Sequence, residues 1–463
     1  MTSNKKIHFE ISERKILLKI FDQLAVLLTL YLVSLVFNFD YFRISLTHYS
    51  WFIVLALYLH VFGNVFEMYN LQVASNYYQI IKSIILTTST TVLVYILTPF
   101  YTPFLPTNRL QIILFYIAIF TSLLLWRFFY VAFMASHRFV KQSIIVCDND
   151  QLQDILLELQ KADPHYRFIA HVSSDGLKPT VQFRNVSSIA LNDLEHFVRQ
   201  NSISEIVVAT QNTNNITADL YSQLLKLLEN GFIIREYTQL YENITQRIPV
   251  HYVSKDFYRY FPFSRNNHNR LYLLVVRVLE VILSLVGLGI TCIIIPFILL
   301  CNLFANKGKL FYTQERVGQN GVPFKIYKFR TMVKNAEAHG AVFASTNDVR
   351  VTPFGKFLRR TRIDEFPQFI NILKGDMAII GPRPERPVFV EEIAKVMPFY
   401  ETRHVVKPGL TGWAQVNYSY GDSISDSLMK LQYDLYYIKH RSLYLDINII
   451  IKTINTVVFY RGQ

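Results

Sequence analysis

Two carboxylates stand side by side, Asp364 and Glu365, at the start of a helical pattern in residues 361–375 (TRIDEFPQFINILKG). Because proline is tolerated only near the start of a helix, Pro367 predicts a helix that begins at about Asp364, with Asp364 as N-cap and Gly375 as C-terminal stop. The positive end of the helix dipole should keep Asp364 ionised. Such a carboxylate can attack phosphorus, while the adjacent glutamate can hold Mg²⁺ together with phosphate oxygens. An N-cap followed by a solvated acid stays open as the structural alternative.

Basic residues flank this pair and would attract a phosphorylated substrate. Those just upstream are Arg359, Arg360 and Arg362. Residues 324–332 (FKIYKFRTM) predict a short strand whose alternation places Lys328 and Arg330 on one face and Lys325 on the other. Two cations on one face suit a diphosphate, although a solvated edge strand is the alternative.

Two loops rich in Pro and Gly follow the carboxylates. The stiff loop 381–384 (GPRP) holds Arg383 in place, and arginine can grip a phosphate with two hydrogen bonds. In the loop 407–413, Trp413 could stack on a base, but packing is the more frequent role of such a residue. We interpret His404 as structural.

The composition restricts the class of protein. Of 463 residues, 51% are hydrophobic and only 17% are charged, which excludes a disordered chain, and the net charge is +13. Residues 305–375 hold 13 Lys or Arg against 5 Asp or Glu. This balance suits an anionic membrane surface or phosphorylated substrates. Nucleic acid is not expected as a partner, because the basic residues adjoin an apolar segment and lack interleaved aromatics. Three scattered cysteines indicate neither disulfides nor a zinc site.

Four apolar stretches in the first third of the chain predict membrane-spanning helices, since about 20 residues cross a bilayer. They are 17–39, 50–66, 80–99 and 110–134. Basic residues before the first stretch and after the fourth place both ends in the cytoplasm. Buried helices of a soluble protein are the alternative, which the short connecting loops disfavour.

Residues 142–262 alternate short apolar runs with helical patterns, which predicts a parallel α/β sheet. The predicted strands are 143–147, 168–172, 205–210 and 232–237, with helices near 151–162 and 218–231. The turn after the first strand, CDNDQ, lacks the glycine spacing of a dinucleotide site. We therefore expect a Rossmann-like scaffold, and a regulatory nucleotide site stays open.

A fifth apolar run covers residues 271–304, with basic residues at both ends. Both ends are therefore expected in the cytoplasm, and Pro296 should break the helix so that it returns to the same membrane face. An ordinary kinked span is the alternative. Farther on, residues 424–438 carry an amphipathic stripe, and 443–459 predict a helix lying on the bilayer, or else a packed core helix.

From about residue 266 to the end, the chain resembles the bacterial sugar transferase family of monotopic polyprenyl-phosphate hexose-1-phosphate transferases. The motifs that carry the resemblance are Gln314-x-Arg316-x-Gly318, Lys325-x-x-Lys328-Phe329-Arg330-Thr331-Met332, Leu358-Arg359-Arg360-Thr361, Asp364-Glu365-x-Pro367-Gln368, Asn371-x-Leu373-x-Gly375-x-Met377, Gly381-Pro382-Arg383-Pro384 and Lys407-Pro408-Gly409-x-Thr411-Gly412-Trp413-Ala414-Gln415. The whole architecture is similar to that of the large members that initiate exopolysaccharide synthesis.

The resemblance implies a reaction and an architecture. Hexose-1-phosphate would move from a UDP-sugar to undecaprenyl phosphate, releasing UMP, to initiate exopolysaccharide, capsule or O-antigen synthesis. The architecture would be membrane α plus α/β: four transmembrane helices in 1–137, a Rossmann-like domain in 138–262, and in 263–463 a re-entrant helix with a mostly helical cytoplasmic catalytic domain. The protein would lie in the bacterial inner membrane. The oligomeric state stays open, with a homodimer one alternative.

The resemblance also implies roles for single residues. Asp364 would be the nucleophile, which forms a covalent phosphosugar intermediate, and Glu365 the Mg²⁺ ligand. Arg330 and Arg383 would contact phosphates, and Lys325 and Lys328 would line the same basic site. The upstream pair Arg359 and Arg360 would bind substrate, and Pro296 would break the membrane helix. The sequence departs from the family at Arg277-x-x-Glu280, at Ile295 before the proline and in residues 306–309. A non-enzymatic membrane scaffold or sensor of nucleotide-sugars is the alternative function.

Overall fold

Helices form in all four apolar regions of the first third of the chain. The structure is a computed structural model that describes residues 11–37, 39, 41–42, 48–69, 77–133, 141–162, 166–174, 186–201, 203–209, 217–250, 267–305, 308–333, 336, 348–397, 399–418 and 423–458. It divides into two units, Met1–Thr245 and Gln246–Gln463. The predicted boundaries at 137/138 and 262/263 lie outside the described residues, so the division into three domains stays a prediction.

The four N-terminal helices are α1 (Ile11–Val36), α2 (Tyr49–Val65), α3 (Tyr77–Ile96) and α4 (Leu110–Phe133). Within α1 and α4, Lys15–Val36 and Leu110–Ala132 are long and apolar enough to cross a membrane. Helices α2 and α3 are apolar but shorter, so the count of four spans stays a prediction. Inside this bundle, Asp22 and Arg127 form a buried ion pair at 2.6 Å, which joins α1 to α4.

The second part of the first unit is a parallel sheet, as predicted. Its strands are β1 (Lys141–Cys147), β2 (Tyr166–Ser173), β3 (Ser187–Ile189), β4 (Glu205–Val208) and β5 (Ile233–Glu236), in the order β3-β2-β1-β4-β5. The accompanying helices are α5 (Leu152–Ala162), α6 (Leu194–Gln200), α7 (Ala218–Glu229) and α8 (Tyr237–Thr245). The pattern predicted four of the strands and two of the helices, but missed β3, α6 and α8, which are short.

The second unit begins with a helix of 36 residues, α9 (Arg270–Ala305), which is also long and apolar enough to cross a membrane. The helix continues through Pro296 and ends only at Ala305, so the structure does not show the predicted break at the proline. A course that returns to the same membrane face stays a prediction. One face of α9 is buried and includes Glu280, Gly287 and Ile298, whereas apolar residues cover the exposed faces.

The other strands and α-helices described in this unit are four short strands and six helices, of which the last two are the longest. The strands are β6 (Phe311–Val317), β7 (Pro323–Phe329), β8 (Ala378–Ile380) and β9 (Gly409–Thr411). The helices are α10 (Pro353–Arg360), α11 (Phe369–Lys374), α12 (Pro387–Val396), α13 (Trp413–Asn417), α14 (Ile424–His440) and α15 (Leu443–Val458). Strands β6 and β7 form an antiparallel hairpin, and β8 pairs with β9 in parallel.

The C-terminal helices close the core of this unit. Trp413 is 1% exposed and its Nε1 donates to the Gln246 carbonyl at 3.1 Å, so its packing role is confirmed. In α14 the buried Leu435 belongs to the predicted stripe. Helix α15 packs Ile449 into the core, as expected of a packed core helix. It also leaves Ile447 exposed, as expected of a helix lying on the bilayer.

Candidate active site

The two adjacent carboxylates lie in a 3-10 helix, Ile363–Gln368, that leads directly into α11. The prediction that Asp364 is the N-cap is wrong. The helix begins one residue earlier, because Arg362 adopts a left-handed conformation (φ 59°) and turns the chain, which places Asp364 in the first turn. The predicted stop at Gly375 is confirmed: it has φ 90°, and the N–H groups of Gly375 and Asp376 both donate to the Asn371 carbonyl.

Cations surround Glu365, which is 6% exposed. Its Oε1 accepts from Lys328 Nζ at 3.1 Å and from Arg383 Nη2 at 2.8 Å, and Arg362 Nη1 lies 3.6 Å from Oε2. Burial alone would raise the pKa of Glu365, but the charges of Arg383, Lys328 and Arg362 outweigh it and hold the pKa well below its usual range. Glu365 is therefore an anion in the folded protein.

Asp364 has the opposite electrostatic behaviour, although it is equally buried at 7% exposure. Burial and then the charge of Glu365 raise its pKa to about 6, against the lowering effects of Lys328, Arg359 and Arg362. At pH 7 about a tenth of the population is therefore protonated. Asp364 is therefore mainly ionised at pH 7, as expected, but its pKa is raised rather than lowered, because burial outweighs the nearby arginines. Among the described residues, no donor reaches the buried Asp364 Oδ1.

The other predicted cations lie at different distances from the carboxylates. Arg359 donates from Nε to Thr331 Oγ1 at 3.0 Å and is close enough to lower the pKa of Asp364. Arg330 lies against Gly308, near the end of α9. Lys325 is exposed on the opposite face of β7 from Lys328, and Arg360 is exposed at the end of α10. The structure thus brings Lys328, Arg359 and Arg383 to the carboxylates.

For two further residues of the site, the sequence did not predict the contacts that the structure shows. Arg362 was only one of a basic run, and its left-handed backbone is what turns it toward Glu365. Asn371 is fully buried, and its side chain accepts from the Tyr327 N–H at 3.1 Å and donates to the Lys325 carbonyl at 2.8 Å. It therefore ties α11 to the strand that carries Lys328. Only its place in the Asn371-x-Leu373 motif could have indicated it.

Helix α9 holds the same segment from the other side. Arg277 donates to the Ile372 carbonyl at 2.6 Å and to the Leu373 carbonyl at 2.7 Å, which satisfies orphan carbonyls at the end of α11. Gly287 lies so close to Phe369 that an added Cβ would be 2.4 Å from its ring. The helix that follows the carboxylates is therefore in direct contact with the apolar helix.

The carboxylates fit the coordination habits of Mg²⁺. Among the described residues, no cluster of three or more Asp, Glu, His or Cys side chains could hold a metal ion. Mg²⁺, however, usually binds through one or two carboxylates plus substrate phosphates and water. Asp364 and Glu365 supply two carboxylates, and the orphaned Asp364 Oδ1 is a suitable ligand atom.

Comparison with known proteins decides the family. The family model described as bacterial sugar transferase matches residues 271–460, from α9 to the C-terminal helix. The uncharacterized sugar transferase EpsL of Bacillus subtilis (strain 168) is 34% identical over 194 residues, which are 41% of this chain and 90% of that protein. The chain belongs to the bacterial sugar transferase family. The predicted resemblance is thereby confirmed.

Relatives in this family carry names that state a reaction. The UDP-N-acetylgalactosamine-undecaprenyl-phosphate N-acetylgalactosaminephosphotransferase of Aeromonas hydrophila is 50% identical over 153 residues, 33% of this chain and 36% of that protein. The UDP-glucose:undecaprenyl-phosphate glucose-1-phosphate transferase of Escherichia coli (strain K12) is 38% identical over 183 residues, 39% of each chain. These matches thus span 33–39% of this chain and 36–39% of the two relatives, and the relatives differ in the sugar they are named for.

Proposed function

We propose that this protein is a phosphoglycosyl transferase that moves a sugar-1-phosphate from a UDP-sugar to undecaprenyl phosphate and releases UMP. The names of the Aeromonas and Escherichia relatives support this class of reaction. The observation that carries the proposal is the buried pair of Asp364 and Glu365, with opposite pKa shifts, beneath a cluster of cations. Two adjacent acids whose pKa values are shifted in opposite directions are typical of catalytic pairs.

The proposed chemistry has two displacements at one phosphorus. The Asp364 carboxylate attacks the phosphorus that bears the sugar, and the bond from that phosphorus to the bridging oxygen breaks, so that UMP leaves with the electron pair. A phosphate oxygen of the acceptor then attacks the same phosphorus. The bond to Asp364 breaks and regenerates the carboxylate, and the product is a sugar linked to undecaprenyl diphosphate.

The cations around the pair offset the charge of the diphosphate. Lys328 and Arg383 are held at Glu365 in the structure, next to Asp364, and their proposed role is to contact the diphosphate. Arg359 and Arg362 add positive charge on the Asp364 side. Preorganised cations of this kind stabilise the developing charge of phosphoryl transfer. Bound Mg²⁺, with Glu365 as its proposed ligand, would supply further charge neutralisation at the phosphates.

The membrane is the proposed meeting place of the two substrates, since one is soluble and the other is a lipid. Helices α1, α4 and α9 are long and apolar enough to enter the bilayer, which indicates that this is a membrane protein. We propose that it lies in the bacterial inner membrane with the carboxylates on the cytoplasmic side, and that it starts the assembly of an exopolysaccharide, capsule or O-antigen.

A UMP-release screen tests the function. The full chain in nanodiscs would receive undecaprenyl phosphate, Mg²⁺ and, in turn, UDP-glucose, UDP-galactose and their N-acetylamino counterparts. One of these should release UMP, Asp364→Asn should abolish release, and Glu392→Gln, at an exposed position of α12, is the control. Mass spectrometry of protein quenched without acceptor should find sugar phosphate on Asp364.

Three outcomes would overturn the proposal. Undiminished UMP release by the Asp364→Asn variant, or sugar phosphate trapped on another residue, would refute the mechanism. Absence of UMP release by the wild type with every donor would instead favour a scaffold or sensor that binds nucleotide-sugars without turnover.

A further inference from the structure

The loop that carries Arg383 has no regular secondary structure, yet its backbone is held at every residue from 382 to 385. Each of four consecutive carbonyls accepts a hydrogen bond. The pairs, donor first, are Gly409 N with Pro382 O at 2.9 Å, Arg403 Nη2 with Arg383 O at 3.0 Å, Arg316 Nη1 with Pro384 O at 3.0 Å and Val317 N with Glu385 O at 2.9 Å. These four hydrogen bonds fix the course of the loop.

Two of these four donors are arginine side chains from distant parts of the unit. Arg403 lies in the 3-10 helix Tyr400–Val405, and Arg316 lies in β6. The Arg403 side chain is 4% exposed, and its Nη2 also donates to Asp434 Oδ2 at 2.7 Å, with the Asp434 side chain 2% exposed. Its Nη1 donates to Tyr400 Oη at 2.5 Å. The guanidinium is thus fixed in one orientation by an aspartate and a tyrosine.

A buried ion pair is weak as a source of stability. Taking both charges out of water costs about as much as their attraction returns, and apolar residues of similar volume often stabilise a fold at least as well. The Arg403–Asp434 pair is therefore better explained by what it orients. What it orients is the carbonyl of Arg383, whose own guanidinium reaches Glu365 at 2.8 Å.

The reach of Arg383 makes its backbone position decisive. Its long side chain is 29% exposed and extends from the loop to Glu365. An error of about 1 Å in the placement of a substrate-positioning group can lower the rate about a hundredfold. A fixed backbone at residue 383 restricts where that arm can end.

We propose that Arg403 is a positioning residue for Arg383, held by Asp434, and that Arg316 does the same one residue farther along the loop. This inference rests on the proposed function, because Arg383 is taken to bind the diphosphate. Both arginines then act on the reaction only through the place of Arg383. Substrate contact by either is not required.

A double-mutant cycle separates positioning from general structural support. We expect Arg403→Lys to lower kcat/KM for the UDP-sugar about ten- to a hundredfold, since lysine lacks the planar fork that serves three acceptors. In an Arg383→Ala background the same substitution should lower kcat/KM less than about threefold, because the side chain that Arg403 positions is absent. Arg316→Lys, measured in both backgrounds, is the second arm of the experiment.

The matched control is Arg350→Lys. Arg350 forms an ion pair with Asp348 at 2.6 Å and donates to the Ala336 carbonyl, so it tests the loss of an arginine–aspartate pair elsewhere in the unit. Its effect should be the same with and without Arg383. Effects of Arg403→Lys and Arg316→Lys that multiply with that of Arg383→Ala would refute the inference. Failure of both variants to fold would also count against it. An inactive wild type would instead refute the proposed function.

Discussion

Replacing Asp364 by asparagine should make the metal-free protein more stable at pH 7, although it removes the proposed nucleophile. Burial and the charge of Glu365 raise the pKa of Asp364 from 3.8 to about 6. Between these values the folded protein binds more protons than the unfolded chain. The free energy of unfolding of the wild type therefore falls as the pH rises through this window. Asparagine carries no such charge and avoids the loss.

The expected gain follows from the size of this pKa change. Each pH unit corresponds to about 1.4 kcal/mol, so a rise of about two units is worth about 3 kcal/mol at pH 7. Below pH 4 both the folded and the unfolded wild type are protonated at this position, and the advantage of the variant should disappear. The gain should therefore grow between pH 4 and pH 6 and then stay level.

Chemical denaturation of the detergent-solubilised full chain in EDTA, at pH 4 and pH 7, measures this difference. Asp426→Asn is a control of opposite sign, because hydrogen bonds from Ser423 and Tyr418 lower the pKa of Asp426 to about 2. That contribution is present at pH 7 and is lost only as the pH falls toward 2, so this variant should be less stable at pH 7. An Asp364→Asn variant that is less stable than wild type, or whose gain does not depend on pH, would refute the reasoning.

Three further outcomes follow from the same contacts. The kcat/KM for UMP release should fall about tenfold from pH 7 to pH 5, as Asp364 becomes protonated; a flat profile would exclude that titration. Without metal, Glu365→Gln should bind UDP more tightly than wild type in calorimetry, because an anion beside the phosphate-binding cations is gone; weaker binding would contradict this. Gly287→Val should lower the free energy of unfolding by about 1–3 kcal/mol and lower turnover, because the added side chain clashes with Phe369. Gly289→Val, with open space at its Cβ, should do neither. If the two variants have equal effects on thermal unfolding and UMP release, the clash at Gly287 is relieved.

The elements that could be predicted are those with a long periodic signal. Helix α7 repeats its apolar residues over 12 positions, and β1 contains the apolar run 144–147, so both were found. Strand β3 has three residues, two of them exposed, and gains its identity only from pairing with β2. No local pattern distinguishes such a strand from a loop.

Within the site, residue types were predictable but partnerships were not. Strand alternation correctly separated Lys328 from Lys325, because the two-residue period is a local property. The pKa of Asp364 depends on burial, which tertiary packing produces, so the helix dipole and the neighbouring arginines alone could not indicate that it is raised. The contact of Arg403 with Asp434 joins residues 31 positions apart, and neither position carries a signal of the other.

The contacts of α9 bear on how the carboxylates are placed relative to a membrane. A straight helix of 36 residues is about 54 Å long, more than the ~30 Å of a hydrocarbon core. Arg277 near its start caps α11, and Ile298 near its end packs with Phe329 and Leu358. Strand β7, which ends at Phe329, also carries Lys328, and a charged side chain at the centre of a bilayer is costly. Both halves of α9 therefore lie against elements that belong in water or at the interface. On this ground we propose that the helix enters the membrane and stays near one face, a course that remains a prediction.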